Sequence, residues 1–595
     1  MNCISQFVKQ SPLEKIITFS KILIIFFVAF YLLTNFNPYY EGNDAYSYAI
    51  TAKLLADGSL FYSNSLSETT GQIEFIPQDH YFINEDNVAL PAGYVGFFGL
   101  TTFVYLIAGN YGLFLLGPIC GIIFLIISER IASHFFGKYV GLLTLLFLST
   151  NHYLFRTSLN LQTEAVFAIC FLLGCYFLIS YLKNYKTICI HASSSFFVFS
   201  ATIRPNGIIF FPIELACIIG LILLLKFKPN IFSTTNNGLH FFNFTKDKQN
   251  YKKYFTKIIL IAVLPWVAFL LFWFSFYGYF FDDPFTNHVV VMKGVEEPDK
   301  DVSSLFKFNS KNFENTKQYS KYLLPYQFPR IVDISPDFND INNFFGKDWI
   351  GIISLILLLI INFVSFKTRK NRLQIIIFSL MTLGTVWFFA SITTEIRALE
   401  GVPGRYMFSA FTVYYMMIGF LIYHFFGFLK NNLSSKYLIP SRFIVLVIIA
   451  FFFFAAFYFS PPIQDILDNT FQIKSPQIYA ERYPLDQEGL SSNDVLISIH
   501  TYDALDYGLI PFNARITESG INDSSFELLQ KIHKLGYDVY IIKDTTIWQN
   551  KILYESLLDR KDISFSDSSP SFCKVIFNSN SAELNANLIT DDTCK

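Results

Sequence analysis

Acidic and guanidinium side chains stand directly beside several apolar runs of the sequence, and these residue types could carry acid–base and anion-binding chemistry. Asp44 follows the first apolar run, and Glu164 opens a later one a few residues after Arg156. Arg204 and Arg405 stand beside further apolar runs. A carboxylate can take a proton from a hydroxyl group, and a guanidinium group binds a phosphate through paired N–H donors. Gathered on one face, they would supply a base and a phosphate clamp.

Each of these residues also has a plainer interpretation. Asp44, or its neighbour Asn43, would cap the helix-like segment "AYSYAITAKLLADG", and Glu164 stands in a first helical turn, where the helix dipole favours a carboxylate. Arg204 and Arg405 would anchor helix ends by reaching to the lipid headgroups. From the sequence alone both interpretations stay open.

The composition places these residues in a membrane protein. Of the 595 residues, 52% are hydrophobic and only 15% are charged, and the formal net charge is −1. So apolar a chain is typical of a multi-pass membrane protein, and the lack of a basic excess argues against a nucleic-acid partner. A helix crosses the bilayer core in about 20 residues, which predicts about eleven spans. The predicted spans are 18–36, 111–128, 139–155, 165–182, 188–203, 207–225, 258–281, 349–366, 373–393, 406–428 and 443–460.

A further apolar run at 92–110 decides the direction of every later span. If this run lies flat or re-enters the membrane, the loops richest in lysine and arginine, including "KTRKNR" at 367–372, share one side. Cytoplasmic loops are enriched in these residues. We therefore predict that 92–110 does not cross, that the N-terminus is cytoplasmic in a cell membrane, and that residues 461–595 lie outside.

Three pieces of the chain then face outward: the loop 37–110, the loop 282–348 and the C-terminal region 461–595, while residues 1–460 form the transmembrane domain. In the C-terminal region, "NDVLISIH", "YDVYIIKD" and "SFCKVIF" predict strands. The segments "SSFELLQKIHKLG" and "QNKILYESLLDR" predict helices. The predicted fold class is therefore mainly α, a membrane domain of about eleven helices followed by a small α/β domain outside the membrane.

Cysteines and candidate metal ligands give weaker indications. Cys573 and Cys594 fall in the outer region and either form a disulfide or stay as two thiols. Asp282, Asp283 and His288 offer ligands for a divalent cation, although a solvated turn is the plainer interpretation. The other cysteines lack metal-site spacing and are predicted core residues: Cys3, Cys120, Cys170, Cys175, Cys189 and Cys217.

Five sequence features follow one another in a distinctive order. They are the acidic first outer loop "EGNDAYSYAITAKLLADGSLFY", the segment "LPAGYVGFFG", an outer arginine followed by an acid (Arg156 and Glu164), "RPNG", and "GRYMFSAFTVYY". Over residues 12–460 this order resembles the GT-C class of membrane glycosyltransferases, the group of protein O-mannosyltransferases and aminoarabinose transferases. None of the five tryptophans neighbours another, so the tryptophan-rich signature of oligosaccharyltransferases is absent.

The resemblance implies transfer of a sugar from a polyprenyl-phosphate or polyprenyl-diphosphate carrier to a glycan, lipid or protein acceptor outside the membrane. It implies that Asp44 is the general base, with Glu164 as a second catalytic carboxylate and Glu41 and Tyr48 in support. The phosphate would be held by arginines: Arg204, Arg405 and Arg156. No cofactor is required in this scheme. Two other classes stay open: a transporter or flippase, and a non-catalytic scaffold whose outer domain binds a partner.

Overall fold

The computed structural model describes many separate stretches of the chain, with only the backbone described at some positions inside them. The described residues are 12–36, 43–59, 66, 81–83, 89–91, 95–184, 186–227, 248–281, 315–317, 319–320, 323, 349–368, 371–392, 407–432, 494–498, 510–513, 516–517, 520–521, 523–542, 557, 563–567 and 572–577.

Helices dominate the first 432 residues. They are α1 (Pro12–Thr34), α2 (Asn43–Ala56), α3 (Val95–Phe136), α4 (Lys138–Ser149), α5 (His152–Ser158), α6 (Glu164–Asn184), α7 (Thr187–Ile203), α8 (Phe210–Phe227), α9 (Lys248–Phe281), α10 (Trp349–Thr368), α11 (Arg372–Ile392) and α12 (Phe408–Asn432). A 3-10 turn, Pro205–Ile209, joins α7 to α8. Seven described helices, α1, α3, α6 and α9 to α12, are long and apolar enough to cross a membrane. The protein is mainly helical and multi-pass.

Each predicted span coincides with described helical residues except 443–460, which lies outside the described residues. The span predicted at 139–155 is not one helix, because α4 ends at Ser149 and α5 starts at His152. Asn151 makes this break: its Oδ1 accepts hydrogen bonds from the backbone N–H groups of Tyr153 (2.9 Å) and Leu154 (3.3 Å). Asparagine is a favoured N-cap because it satisfies such free donors. The apolar run therefore folds as two short helices.

The contacts divide the chain into two compact units. We call Met1–Asn37, Gly93–Phe97 and Leu113–Ile473 the helical unit, and Pro38–Ala92, Phe98–Gly112 and Lys474–Lys595 the mixed unit. The helix α3 belongs to both, and its backbone is non-helical at Gly109, where φ is 59°. This left-handed conformation favours glycine. The break falls at the end of the run 92–110, whose flat or re-entrant placement stays a prediction.

The helical unit has two recognisable ends. At one end, Lys138 Nζ lies 3.1 Å from Glu14 Oε1, and Lys183 Nζ lies 5.0 Å from the ring centroid of Phe135. These contacts bring together the start of α1, the end of α3, the start of α4 and the end of α6. Glu164 begins the 21-residue α6, so it lies about 30 Å away at the opposite end. Lys138 and Lys183 therefore lie at one end of the helical unit and Glu164 at the other.

The mixed unit contains a five-stranded sheet of order β4-β3-β7-β9-β8. The strands are β1 (Tyr81–Ile83), β2 (Ala89–Pro91), β3 (Val495–Ser498), β4 (Ile510–Asn513), β5 (Ile516–Thr517), β6 (Gly520–Ile521), β7 (Val539–Ile542), β8 (Ile563–Asp567) and β9 (Phe572–Phe577). The pairs β3–β4 and β3–β7 are parallel, whereas β9 runs antiparallel to β7 and β8. The helix α13 (Asp523–Lys534) precedes β7. This confirms the predicted strands and the first predicted helix, while the second, at 549–560, falls mostly outside the described residues.

The sheet and α13 share one hydrophobic core. Phe526, Leu529 and Ile532 recur along α13 at helical spacing and pack against the apolar side chains of β3, β7 and β9. Leu66, from the predicted outer loop 37–110, is fully buried in the same core. Burial, with the carboxylates of Asp494 and Asp538 nearby, raises the pKa of Tyr540 to about 12. Leu66 and the C-terminal strands and helix therefore share one core.

Candidate functional site

Glu164 and Arg204, both predicted site residues, form a buried ion pair. Arg204 Nη1 lies 2.7 Å from Glu164 Oε1, and the two side chains are only 7% and 1% exposed. Glu164 is the first residue of α6, and Arg204 follows the last residue of α7. Removing one partner of a buried ion pair leaves an uncompensated charge, which costs about 3–5 kcal/mol. The pair therefore holds the ends of α6 and α7 together.

The "RPNG" turn sets the position of Arg204. Arg204 has extended backbone angles (φ −145°, ψ 129°), because a following proline disfavours the helical conformation. Pro205 then starts the 3-10 turn. A Cβ on Gly207 would lie 2.6 Å from the backbone nitrogen of Ala201, so only glycine allows this close approach. The motif thus reverses the chain directly after Arg204.

A cluster of phenylalanine rings supports the turn from within the helical unit. Phe171 of α6, Phe197 of α7 and Phe210 of α8 are fully buried. Their ring centroids lie 4.8 Å (Phe171–Phe210), 5.3 Å (Phe197–Phe210) and 6.5 Å (Phe171–Phe197) apart. Truncating such a buried ring costs about 3–5 kcal/mol. The cluster therefore fixes the three helices that carry or adjoin the ion pair.

The residues just before Glu164 have unused hydrogen-bonding capacity. Among the described residues, Thr163 Oγ1 and Gln162 Oε1 are buried and have no hydrogen-bond partner. Leaving a buried polar group unsatisfied costs about 1–3 kcal/mol. Arg204 itself can donate in several directions, because a guanidinium group carries five N–H donors. The start of α6 can therefore hydrogen-bond a polar ligand while the ion pair stays intact.

The "GRYMFSAFTVYY" motif contributes two tyrosines that join three parts of the helical unit. Tyr415 Oη accepts a hydrogen bond from Asn151 Nδ2 at 3.0 Å, and Tyr414 Oη donates to the carbonyl oxygen of Ser354 at 2.8 Å. Both rings are fully buried in α12. Asn151 is the N-cap of α5, the helix that carries Arg156. The motif therefore places α5 relative to α12 and α10.

The other predicted site residues are less completely described. Arg156 is exposed on α5, and among the described residues it has no ion-pair partner. The described contacts therefore do not join it to Glu164 and Arg204.

Asp44 is the second residue of α2, and its side chain lies outside the described part. Tyr48 of α2 is buried, and its ring centroid is 6.1 Å from that of Phe98. Five predicted residues lie outside the described residues: Glu41, Arg405, Asp282, Asp283 and His288.

Glu214 is a buried acid that the sequence analysis missed. It lies in α8 and is 1% exposed. Its Oε1 accepts hydrogen bonds from Ser193 Oγ (2.8 Å) and Ser194 Oγ (3.0 Å), and its Oε2 accepts one from Trp266 Nε1 (3.1 Å). A single acid within the apolar run 207–225 was the available signal, because intramembrane ionisable residues are rare and costly. The sequence analysis considered charged residues beside the apolar runs and so did not include this acid within one.

A second unpredicted cluster lies at the opposite end of the helical unit from Glu164. Lys21 Nζ of α1 donates to Glu129 Oε1 at 2.6 Å and to Ser133 Oγ at 2.8 Å, both on α3. Arg130 Nε lies 3.7 Å from the second oxygen of Glu129. The lysine and glutamate side chains are 10% and 8% exposed. This cluster ties α1 to α3.

The possible metal ligands and the cysteines are the remaining predicted features. Within them, no group of three His, Cys, Asp or Glu side chains could hold a metal ion. The buried cysteines behave as the predicted core residues, since Cys120, Cys170, Cys175 and Cys217 are buried and unpaired. Cys3 and Cys594 lie outside the described residues.

Comparison with known proteins finds likeness only among solved structures. No family model and no curated protein sequence matches the chain. The oligosaccharyltransferase AglB from Archaeoglobus fulgidus, in complex with an inhibitory peptide and a dolichol-phosphate, is 12% identical, with a TM-score of 0.46 over 95% of this chain and 75% of that chain. ArnT from Cupriavidus metallidurans, bound to undecaprenyl phosphate, is also 12% identical, with a TM-score of 0.46 over 93% of this chain and 97% of that chain.

A further structure of the Archaeoglobus fulgidus oligosaccharyltransferase, in complex with zinc and sulfate, is 11% identical and has a TM-score of 0.46, covering 91% of this chain and 71% of that chain. The equal scores do not separate the two kinds of protein. At these identities and TM-scores, the likeness does not assign a role to any residue of this chain.

Proposed function

We propose that this protein is a glycosyltransferase that moves a sugar from a polyprenyl-phosphate-type lipid carrier to an acceptor on the outer side of the membrane. The observation that carries the proposal is the buried ion pair between Glu164 and Arg204. The pair puts a cation at the ends of two apolar helices, a position that would suit the phosphate of a membrane-anchored carrier. The lysine-bearing end of the same unit lies opposite, which supports an outward-facing site under the positive-inside rule.

The proposed reaction displaces the carrier phosphate from the sugar. The acceptor hydroxyl oxygen forms a bond to the anomeric carbon, and the bond from that carbon to the carrier phosphate oxygen breaks. Asp44 takes the hydroxyl proton, and the phosphate leaves with the electron pair. General-base assistance of this kind contributes about 10²- to 10⁴-fold in rate. Glu41 and Tyr48 would support the loop and helix that carry the base.

Arg204 would stabilise the charge that develops on the departing phosphate. Glu164 orients the guanidinium group through the ion pair, and the fork of five N–H donors on a guanidinium group suits the oxygens of a phosphate. Arg405 and Arg156 are the proposed additional phosphate contacts. The Thr163 hydroxyl would donate to the phosphate, and Gln162 Oε1 would accept from a hydroxyl group of the sugar; neither atom has a partner among the described residues. Preorganised donors of this kind typically contribute about 10²- to 10³-fold in rate.

The test uses the full-length protein in nanodiscs with radiolabelled polyprenyl-phosphate sugars and cell-envelope extract as acceptor. Asp44→Asn is expected to abolish label transfer without changing expression or the elution profile. Asp57→Asn is the matched control, because Asp57 is exposed just after the other end of the same helix. Retained transfer by Asp44→Asn would remove Asp44 from the role of base. Absence of transfer from every donor by the unaltered protein would overturn the proposed function.

The same assay tests whether sugar transfer requires a divalent cation. Arginines carry the phosphate charge in the proposed scheme, so EDTA is expected to leave transfer unchanged. Loss of transfer with EDTA, restored by a divalent cation, would instead direct attention to Asp282, Asp283 and His288.

A transporter or flippase of a lipid-linked solute is the second candidate, and Glu214 favours it. This acid is fully buried within an apolar helix, as transport sites near the middle of the membrane often are. Its three hydrogen bonds equally suit a structural tie between helices. A vesicle assay separates the candidates, because a flippase moves the labelled carrier across the bilayer without forming a new glycosidic bond.

A further inference from the structure

The helix α9 is longer than its apolar part. It runs from Lys248 to Phe281, whereas the segment able to cross a membrane is Thr256–Phe276. At 1.5 Å per residue, the N-terminal extension 248–255 adds about 12 Å of continuous helix. The extension therefore adjoins the N-terminal end of the apolar segment, where a spanning helix would reach the lipid headgroups.

This extension is strongly basic. The sequence places Lys248, Lys252 and Lys253 in it and Lys257 at the edge of the apolar segment, and α9 contains no Asp or Glu. Lys257 is exposed. Lysines beside a membrane-spanning helix favour binding to anionic lipids. The charge of this end of α9 therefore complements an anionic headgroup.

An exposed apolar stripe leads from the middle of α9 to Lys257. Leu260, Leu264 and Leu271 are each 63% exposed, and their spacing of four and seven residues places them on one face of the helix. Trp266, on another face, is buried. Lys257 precedes Leu260 by three positions and so continues the stripe. A lysine at such a position can lay its aliphatic stem on the apolar face and extend its ammonium group to the headgroups.

A groove lies at the junction of the stripe and the lysine. It has a volume of about 600 Å³ and is lined by Thr256, Lys257, Leu260 and Ile261. The leucine and isoleucine side chains suit the upper part of an acyl chain. The groove itself is almost wholly apolar, so a phosphate would lie at its edge, where the Thr256 hydroxyl or the Lys257 ammonium group would donate to a phosphate oxygen.

We propose that the groove and the basic extension of α9 form a binding site for an anionic phospholipid of the surrounding bilayer. The phosphate binds Lys257 and the lysines of the extension, and one acyl chain lies along Leu260 and Leu264. The site is independent of the proposed transferase function. It would tie the protein to membranes rich in anionic lipid.

Native mass spectrometry of the full-length protein, released from nanodiscs, tests this site. The discs contain equal amounts of dioleoyl-phosphatidylglycerol and dioleoyl-phosphatidylcholine. The triple variant Lys252→Gln/Lys253→Gln/Lys257→Gln is expected to weaken retention of phosphatidylglycerol by about a hundredfold. Lys531→Gln/Lys534→Gln removes two exposed lysines from α13, which is not a candidate membrane span, and is expected to leave retention unchanged. The matching Lys→Arg triple keeps the charge and is expected to restore retention.

Three results would overturn the site. Equal retention of phosphatidylglycerol by the glutamine variant and the unaltered protein would remove the lysines from binding. Equal retention of phosphatidylcholine and phosphatidylglycerol would reduce the groove to an unselective acyl-chain contact. Displacement of phosphatidylglycerol by millimolar inorganic phosphate, or preferential displacement by polyprenyl phosphate, would assign the surface to a free anion or to the sugar carrier.

Discussion

Two buried ion pairs at opposite ends of the helical unit are alike in geometry and differ in surroundings. Glu164 and Arg204 approach to 2.7 Å, and Lys21 and Glu129 approach to 2.6 Å, with every side chain at most 10% exposed. The first pair joins the start of α6 to the end of α7, beside a chain reversal. The second joins positions inside α1 and α3, away from the ends of both helices, and is closed by Ser133. Helix ends leave backbone and side-chain donors available to a ligand, so only the first pair suits a site.

The largest expected difference between the pairs is in catalysis. Arg204→Met is expected to lower the transfer rate by about 10²-fold or more, because it removes the cation proposed for the phosphate. Lys21→Met is expected to leave the rate per folded molecule unchanged, although it also breaks a buried pair. The radiolabelled-donor assay, normalised to folded protein by size-exclusion chromatography, measures both. Equal losses in the two variants would mean that the first pair acts only on stability.

The free energy of unfolding should differ between variants that replace one and both residues of the pair Lys21 and Glu129. Lys21→Met alone is expected to lower the free energy of unfolding by about 3–5 kcal/mol, because Glu129 is left buried with its charge uncompensated. The double variant Lys21→Met/Glu129→Leu should recover most of that loss, since both charges are gone. Unfolding in increasing SDS, followed by circular dichroism, measures the difference. A double variant less stable than the single one would show that the pair contributes net stabilisation.

The turn beside the first pair can be disturbed without changing a charge. Gly207→Val is expected to cost about 1–3 kcal/mol, because its Cβ would lie 2.6 Å from the backbone of Ala201. The same change should lower the transfer rate, as Arg204 begins this turn. Gly220→Ala, in the same region, is the matched control, since nothing lies within 4 Å of a Cβ there. Thermal unfolding and the transfer assay should both leave this control unaffected or slightly stabilised.

The smallest effect is expected for an ion pair in the mixed unit. Lys574 Nζ lies 2.5 Å from Asp538 Oδ2, but the side chains are 32% and 39% exposed. Solvent screens such a pair, so Lys574→Ala should change stability by less than about 1 kcal/mol. Thermal unfolding at low and high salt measures this. A loss as large as that of Lys21→Met would contradict the idea that burial separates the two kinds of pair.

Part of the candidate site follows from the sequence. Counting spans predicts that the start of α6, with Glu164, and the end of α7, with Arg204, lie on the same side of the membrane. Pro205 predicts the extended backbone of Arg204. The strands β3, β7 and β9 and the helix α13 also follow from their periodicity. These features are local, because they depend on the hydropathy and the conformational preferences of neighbouring residues.

Other features could not be predicted in this way. The partners of Glu214 come from two other helices, and Leu66 enters a core built around 430 residues later in the chain. The break at Asn151 could not be predicted because it lies within a continuous apolar run. The Asn151 side chain caps α5 and donates a hydrogen bond to Tyr415, far along the chain. Each depends on which faces of distant segments meet, which no local pattern contains.

The sequence by itself determined that the chain is a mainly helical membrane protein, and it predicted which charged residues stand at helix ends. Hydropathy and charge are properties of short segments, so their pattern is sufficient for this. Only the tertiary structure decided that Glu164 binds Arg204, that Glu214 has three donors, and that Lys21 binds Glu129. Pairing depends on the rotation and register of packed helices, which are set by close packing over the whole unit.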